Sequence, residues 1–132
     1  MEIKSTYNLY LDDIRIPRDS FNYTKDTRFN LLDWVIVRSA EEFIKTVNDK
    51  FKDGEWPDLI AWDNDLSDEH YNPDIKQEDY KEKTGFFCAQ WLVSFCLDNK
   101  MNMPEYIVHS QNPAGKANII GLLDGFKKFQ SK

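Results

Sequence analysis

Four short apolar runs, rich in β-branched and aromatic residues, punctuate the chain: Leu9-Tyr10-Leu11, Trp34-Val35-Ile36-Val37, Leu59-Ile60-Ala61-Trp62 and Tyr106-Ile107-Val108. Their length and composition predict buried strands. Between the second and third, Ser39 and Glu42 stand at capping-box spacing, and Ala40, Phe43, Ile44, Val47 and Phe51 recur with helical period up to Gly54. That pattern predicts a helix with one apolar face. A second helix is expected over Gly85 to Leu97, apolar on most sides apart from Gln90 and Ser94, so it should pack on the sheet and against a further element. After the fourth run, Asn112-Pro113 has the form of an N-cap and first turn. Ile119, Ile120, Leu123 and Phe126 would be the inner face of that last helix, which Gly121 and Gly125 weaken.

Strands alternating with helices imply an α/β fold: a parallel sheet with helices on its faces, because parallel strands need long right-handed crossovers. Two stretches resist the pattern. Arg18 to Asp33 shows no helical stripe and can be a loop, a short helix or a hairpin. Ser67 to Lys83 carries Asp68, Glu69, Asp74, Glu78, Asp79 and Glu82 and is longer than an ordinary connection, which suggests either a lid beside a site or a solvated insertion.

Composition narrows the classes. At 132 residues the chain has room for one compact domain, expected over 1–132, and 41% hydrophobic content supplies a real core, excluding disorder and fibrous repeats. A formal charge of -6 disfavours general binding to DNA, and the acids comprise fifteen Asp to eight Glu, a bias toward the residue of turns, caps and metal sites. Cys88 and Cys96 fall about 12 Å apart along a helix axis, too far for a disulfide, and read as reduced core thiols. With no signal pattern over Met1 to Asn8 and no apolar run long enough for a bilayer, the expectation is a soluble cytoplasmic protein without membrane partners.

In open α/β sheets ligands bind beyond the carboxyl ends of the strands. The residues falling there are Asp12 and Asp13, Asp63 and Asp65, and His109 and Ser110. If the first and third strands are neighbours, Asp12, Asp13 and Asp63 converge, and three ionised carboxylates need a cation. All-oxygen ligation suits Mg²⁺ or Mn²⁺, whereas zinc is poorly served by two core cysteines and two histidines. His109 is a candidate general acid or base, and Asp65 can assist through water or orient His109. Ser110 and Asn112 can bond a phosphoryl oxygen, Arg15 can add a forked contact, and Asn112-Pro113-Ala114-Gly115-Lys116 has the form of an anion seat in which Gly115 allows close approach and Lys116 adds charge. His70 has no partner at metal spacing and is expected to be solvated.

Leu11-Asp12-Asp13, Asp58 to Asp63 and Val108-His109-Ser110 resemble a response-regulator receiver domain. The resemblance implies a receiver/flavodoxin-like three-layer sandwich with strand order 2-1-3-4. It matches Asp12 and Asp13 to the metal-binding acidic pair, Asp63 to the phospho-accepting aspartate, and Ser110 to the neighbourhood of the hydroxyl residue that reads the phosphoryl group. The chain lacks the fifth strand with its lysine, shows no evident first helix, and has a histidine before the hydroxyl position. Those departures, together with Leu-Asp-Asp-Ile-Arg-Ile-Pro, Trp-Asp-Asn-Asp-Leu-Ser, Thr84-Gly85 and His109 to Gly115, are similar to the cyclic-phosphate processing receiver domain family. That similarity implies a small phosphorylated ligand or RNA end as partner. Three readings follow: a metal-dependent phosphoesterase, in which His109 moves the proton; a phospho-switch read by a partner; and a nucleotide-sequestering interaction protein, with the Gly85 to Leu97 helix as a docking or homodimer face.

Overall fold

The computed structural model describes residues 2–132. Four parallel strands, β1 (Ser5–Leu11), β2 (Val35–Val37), β3 (Glu55–Trp62) and β4 (Glu105–Val108), form one sheet in the order β2-β1-β3-β4, the receiver-like order expected. β1 and β3 start earlier than the apolar runs, and their pairing is interrupted at Pro57, which lacks an amide donor, and Asp58, an extra residue there. The register shifts at that point, between Tyr7 and Asn8, and pairing continues on its far side.

One face of the sheet carries α3 (Ala40–Lys52), α4 (Gly85–Asn99) and α5 (Pro113–Gln130). Leu9, Leu11, Ile60 and Trp62 meet Phe43, Val47, Leu92, Ile119 and Leu123 in the main core. α4 packs against both α3 and α5, which supplies the further element its all-round apolarity demanded. Ser39 caps α3 by accepting from the Glu42 amide at 3.1 Å, while the Glu42 carboxylate reaches back to the Arg38 amide at 3.3 Å, one residue short of the reciprocal bond of a full capping box.

The opposite face is covered by the Arg18 to Asp33 stretch, which folds as α1 (Pro17–Thr24) and a single turn, α2 (Arg28–Leu31). Tyr10, Phe29 and Ala61 form a small second core there, with Phe21, Trp34 and Ile107 at its margin. Tyr10 fixes this layer by bonding the Ile16 carbonyl at 3.1 Å and the Ser20 hydroxyl at 2.6 Å.

Ser67 to Lys83 is largely exposed, as a solvated insertion would be, yet it is anchored to the rest of the domain at several points. It holds two short 3₁₀ turns, Asp68–Tyr71 and Gln77–Asp79, and the Glu69 carboxylate in the first accepts from the Lys81 and Glu82 amides just past the second, which closes the loop. The Glu82 carboxylate accepts from the Ala40 amide at 3.0 Å, pinning the loop to α3. His70, expected in solvent, is buried: its Nδ1 accepts from the Leu66 amide and its Nε2 donates to the Glu82 carbonyl, both at 2.8 Å. Cys88 and Cys96 are buried free thiols, and no helix among the described residues is long and apolar enough to cross a membrane.

Candidate metal and phosphate site

The carboxyl ends of β1, β3 and β4 meet at one edge of the sheet. At the end of β1, Asp12 is fully buried and every oxygen is engaged. Its Oδ1 accepts from the amides of Ile14 and Arg15 at 3.1 and 2.9 Å, which folds the chain into a turn directly after the strand. Its Oδ2 meets His109 Nε2 at 3.1 Å and lies 3.6 Å from Arg15 Nη1. Burial alone would raise the Asp12 carboxyl, but the hydrogen bonds from His109, Arg15 and Ile14 outweigh it and hold it below its ordinary value. Arg38 donates to the carbonyls of Asp12 and Arg15, fixing the same turn from the β2 side.

His109 follows β4 and lies behind Asp12, stacked on Tyr10 at 4.8 Å with the edge of Phe29 at 5.8 Å. Burial depresses its pKa against the pull of Asp12. The ring is therefore neutral, and its proton is on Nε2, where the ionised Asp12 accepts it. Asp12, not Asp65, orients this imidazole. Tyr23 donates to the His109 carbonyl at 2.6 Å, and its ring faces the Arg15 guanidinium at 5.5 Å.

The end of β3 is different. Asp63 is only 2% exposed; its Oδ1 accepts from the Asn64 amide at 2.9 Å, while its Oδ2 is buried without a partner. The Oδ1 of the half-buried Asp13 is likewise without a partner. Burial first, and then the charge of Asp12, push Asp63 up to about 7, with Arg15 offsetting only part of the rise. Burial and Asp12 also raise Asp13. Asp12, Asp13 and Asp63 each present one ligand atom, all within 4.8 Å of one another. Orphaned carboxylate oxygens in a cluster of this size fit a hard divalent cation, and an all-oxygen donor set suits Mg²⁺ or Mn²⁺.

Asn64 determines how tightly this corner closes. Its carbonyl accepts from the Gly85 amide at 2.8 Å and its Oδ1 from the Phe86 amide at 3.2 Å, so it satisfies the N-terminus of α4. A Cβ on Gly85 would stand 1.8 Å from the Asp63 carbonyl oxygen, and one on Gly115 would stand 2.5 Å from the Asn64 amide nitrogen. Both glycines let helix starts close on the β3 end. Gly115 therefore admits Asn64 where an anion was expected, and its amide is already taken by Asn112 Oδ1 at 3.0 Å.

Beside the carboxylates opens a cavity of about 400 Å³ lined by Arg15, Asp63, Asp65, Tyr71, Gln111 and Asn112, with His70 behind. The volume lies in the ordinary range for small ligands. Arg15 Nη2 donates to Gln111 at 3.1 Å, which holds the guanidinium beside the carboxylates. Asp65 is buried and accepts from Asn64 and Asn112 at 3.4 and 3.3 Å. Ser110 is buried, and its hydroxyl accepts from the Asn112 amide at 3.2 Å. Lys116 is exposed and does not line this cavity. Sequence reasoning missed Arg38, Asn64, Tyr71 and Gln111. Of these, Asn64 had a signal, since it stands between Asp63 and Asp65 in a chain with glycines at two helix starts.

Residues 7–125 match the family described as the cyclic-phosphate processing receiver domain. No curated protein and no solved structure matches the chain.

Proposed function

Since the chain belongs to the cyclic-phosphate processing receiver domains, we propose that it is a metal-dependent phosphoesterase that hydrolyses one ester bond of a cyclic phosphate. The observation that carries this reading is the pair of orphaned oxygens on Asp13 and Asp63, in a three-carboxylate cluster whose adjoining cavity also presents the Arg15 guanidinium. Asp12, Asp13 and Asp63 would hold Mg²⁺ or Mn²⁺, which when bound supplies positive charge to phosphoryl oxygens and lowers the pKa of bound water.

Arg15 offers its donors to the phosphate from a fixed position, held by Gln111 and backed by Tyr23. Asp65 lines the same cavity, and its Oδ1 is tethered by two amides, which suits it to accept the proton of the attacking water. The water oxygen forms the new P–O bond, one ring P–O bond breaks, and the departing alkoxide takes a proton back, leaving an open phosphate monoester. His109 moves no proton in this account, because its ring is buried behind Asp12; it is a positioning residue that keeps Asp12 ionised. Ser110 and Asn112 hold the β4–α5 corner, and Asn112 also aims Asp65.

Incubating the protein with Mg²⁺ or Mn²⁺ and a panel of cyclic phosphates, with products identified by mass, tests the reading. Ring-opened monoesters in wild type and none with Asp63→Asn are expected. A phospho-switch is the weaker reading, since no lysine lines the cavity. A lasting phosphate adduct on Asp63 after treatment with acetyl phosphate, without turnover of any cyclic phosphate, would replace the esterase reading.

A further inference from the structure

Next to the cavity over Asp63 lies a second compartment of about 150 Å³, and Asp65, His70 and Asn112 line both. Tyr80 and Gln77 of the loop, Phe86 of α4 and Asn118 of α5 also line the second compartment. Its chemistry differs from that of the first. Asp65, tethered through Oδ1 by Asn64 and Asn112, serves the phosphate side as the proposed base, and both ring nitrogens of His70 are used within the protein. Apart from the Asp65 carboxylate shared with the first compartment, what remains to meet a ligand is uncharged: the Tyr80 ring, fixed against His70 at 4.4 Å, and the amides of Gln77 and Asn118, which are exposed. A fixed aromatic plane with neutral groups that both donate and accept complements a nucleobase, which is itself planar and carries both kinds of edge.

A third compartment shares Gln77, Tyr80, Thr84 and Phe86 with the second, and its charged lining is Glu78, Glu82 and Lys83, two acids to one cation. The phosphodiester backbone of an RNA strand passing that end would meet net negative charge, on a chain whose overall charge is -6. We propose that the compartment of Tyr80, Gln77 and Asn118 is a base subsite, and that the substrate is a nucleoside bearing one cyclic phosphate in preference to the cyclic end of an RNA strand. This rests on the cyclic-phosphate reading of the carboxylate cluster and adds the group that lies beyond the phosphate.

The test is calorimetric binding to the full chain in Mn²⁺, using three probes: a nucleoside 2′,3′-cyclic phosphate, glycerol cyclic phosphate, which has the ring without a base, and a short oligoribonucleotide ending in the same cyclic phosphate. The nucleotide binds about tenfold or more tightly than the glycerol compound, and the oligoribonucleotide binds more weakly than the nucleotide. The double substitution Gln77→Ala, Asn118→Ala, at two exposed positions, costs the nucleotide about tenfold and leaves the glycerol compound unchanged. Equal affinity for the nucleotide and glycerol compounds, an oligoribonucleotide that binds best, or a double variant without effect overturns the base subsite. If glycerol cyclic phosphate is still hydrolysed in any of those cases, the esterase reading stands without it. If none of the three probes binds, both fall.

Discussion

Asp12 and Asp63 end adjacent strands of one sheet and are equally hidden from water, yet their carboxyls are displaced in opposite directions. Around Asp12 the protein has placed two backbone amides, an imidazole and a guanidinium; around Asp63 it has placed one amide and two further carboxylates. Burial is common to both and raises both. The supply of donors separates them, and it leaves one corner self-sufficient and the other with unpartnered carboxylate oxygens that, on the proposed reading, depend on a cation.

The largest expected effect falls on the dependent corner. Asp63→Asn should lower metal-dependent turnover by about 10³-fold, of the order seen when a charge-stabilising group is removed, yet raise the stability of the metal-free protein at pH 8. A substitution that lost activity by unfolding would do the reverse, and thermal unfolding beside the assay separates the two. Next is Gly85→Ala, whose new Cβ would press on the Asp63 carbonyl and should cost about 3 kcal/mol or more. Gly121→Ala in α5, where a Cβ meets nothing within 4 Å, should instead stabilise by about 0.5–1 kcal/mol. Denaturant unfolding of the two variants gives opposite signs if close approach at the β3 end is the reason for Gly85.

The self-sufficient corner responds to His109. His109→Leu removes a buried donor to an ionised carboxylate and should cost about 1.5–3 kcal/mol. With that donor gone the Asp12 carboxyl rises, so the acid limb of metal binding moves to higher pH. His109→Gln, which keeps an N–H donor, should recover part of both effects. Metal titrations across pH detect that displacement, which a purely structural role would not produce.

A smaller effect isolates Asp63 by its titration. The unfolded chain releases this proton near 3.8, whereas the folded metal-free protein keeps it to about 7. Between those values the unfolded state binds fewer protons, so Asp63 costs stability progressively as pH rises, by at most about 1.4 kcal/mol per unit. His109, with a depressed pKa, acts in the opposite sense below its ordinary value of 6.5, and Asp12 and Asp13 are displaced as well, so the raw stability profile mixes them all. The difference between Asp63→Asn and wild type removes the common part. It should widen from about pH 4 to about pH 7 and then level off.

Much of this contrast was legible in the sequence because strand ends are. Leu11-Asp12-Asp13 and Trp62-Asp63 put acids where the sheet must present them, and strand order brings them together. The donor sets were not legible: nothing in the spacing of His109 shows that its ring turns behind Asp12 and away from the cavity, or that Arg38 reaches across from β2. α1 and α2 left no stripe because an eight-residue helix and a single turn repeat too few positions, and they are held by Tyr10, Phe21 and Phe29. Gly115-Lys116 read as an anion seat because helix starts bind anions. In the structure Gly115 admits Asn64, and the next residue, rotated about 100° around the helix, points Lys116 to solvent. His70 lacked a partner in sequence because its partners are backbone groups of Leu66 and Glu82, which any residue supplies.

The most direct test counts protons released when Mn²⁺ binds, by calorimetry in buffers of different ionisation heat. If Asp63 is held protonated until a cation enters the cluster, about one proton should leave per cation at pH 6, the number should fall toward zero by pH 9, and Asp63→Asn should release markedly fewer at pH 6. Cation binding without proton release at pH 6, or with the same release in Asp63→Asn, would contradict the account.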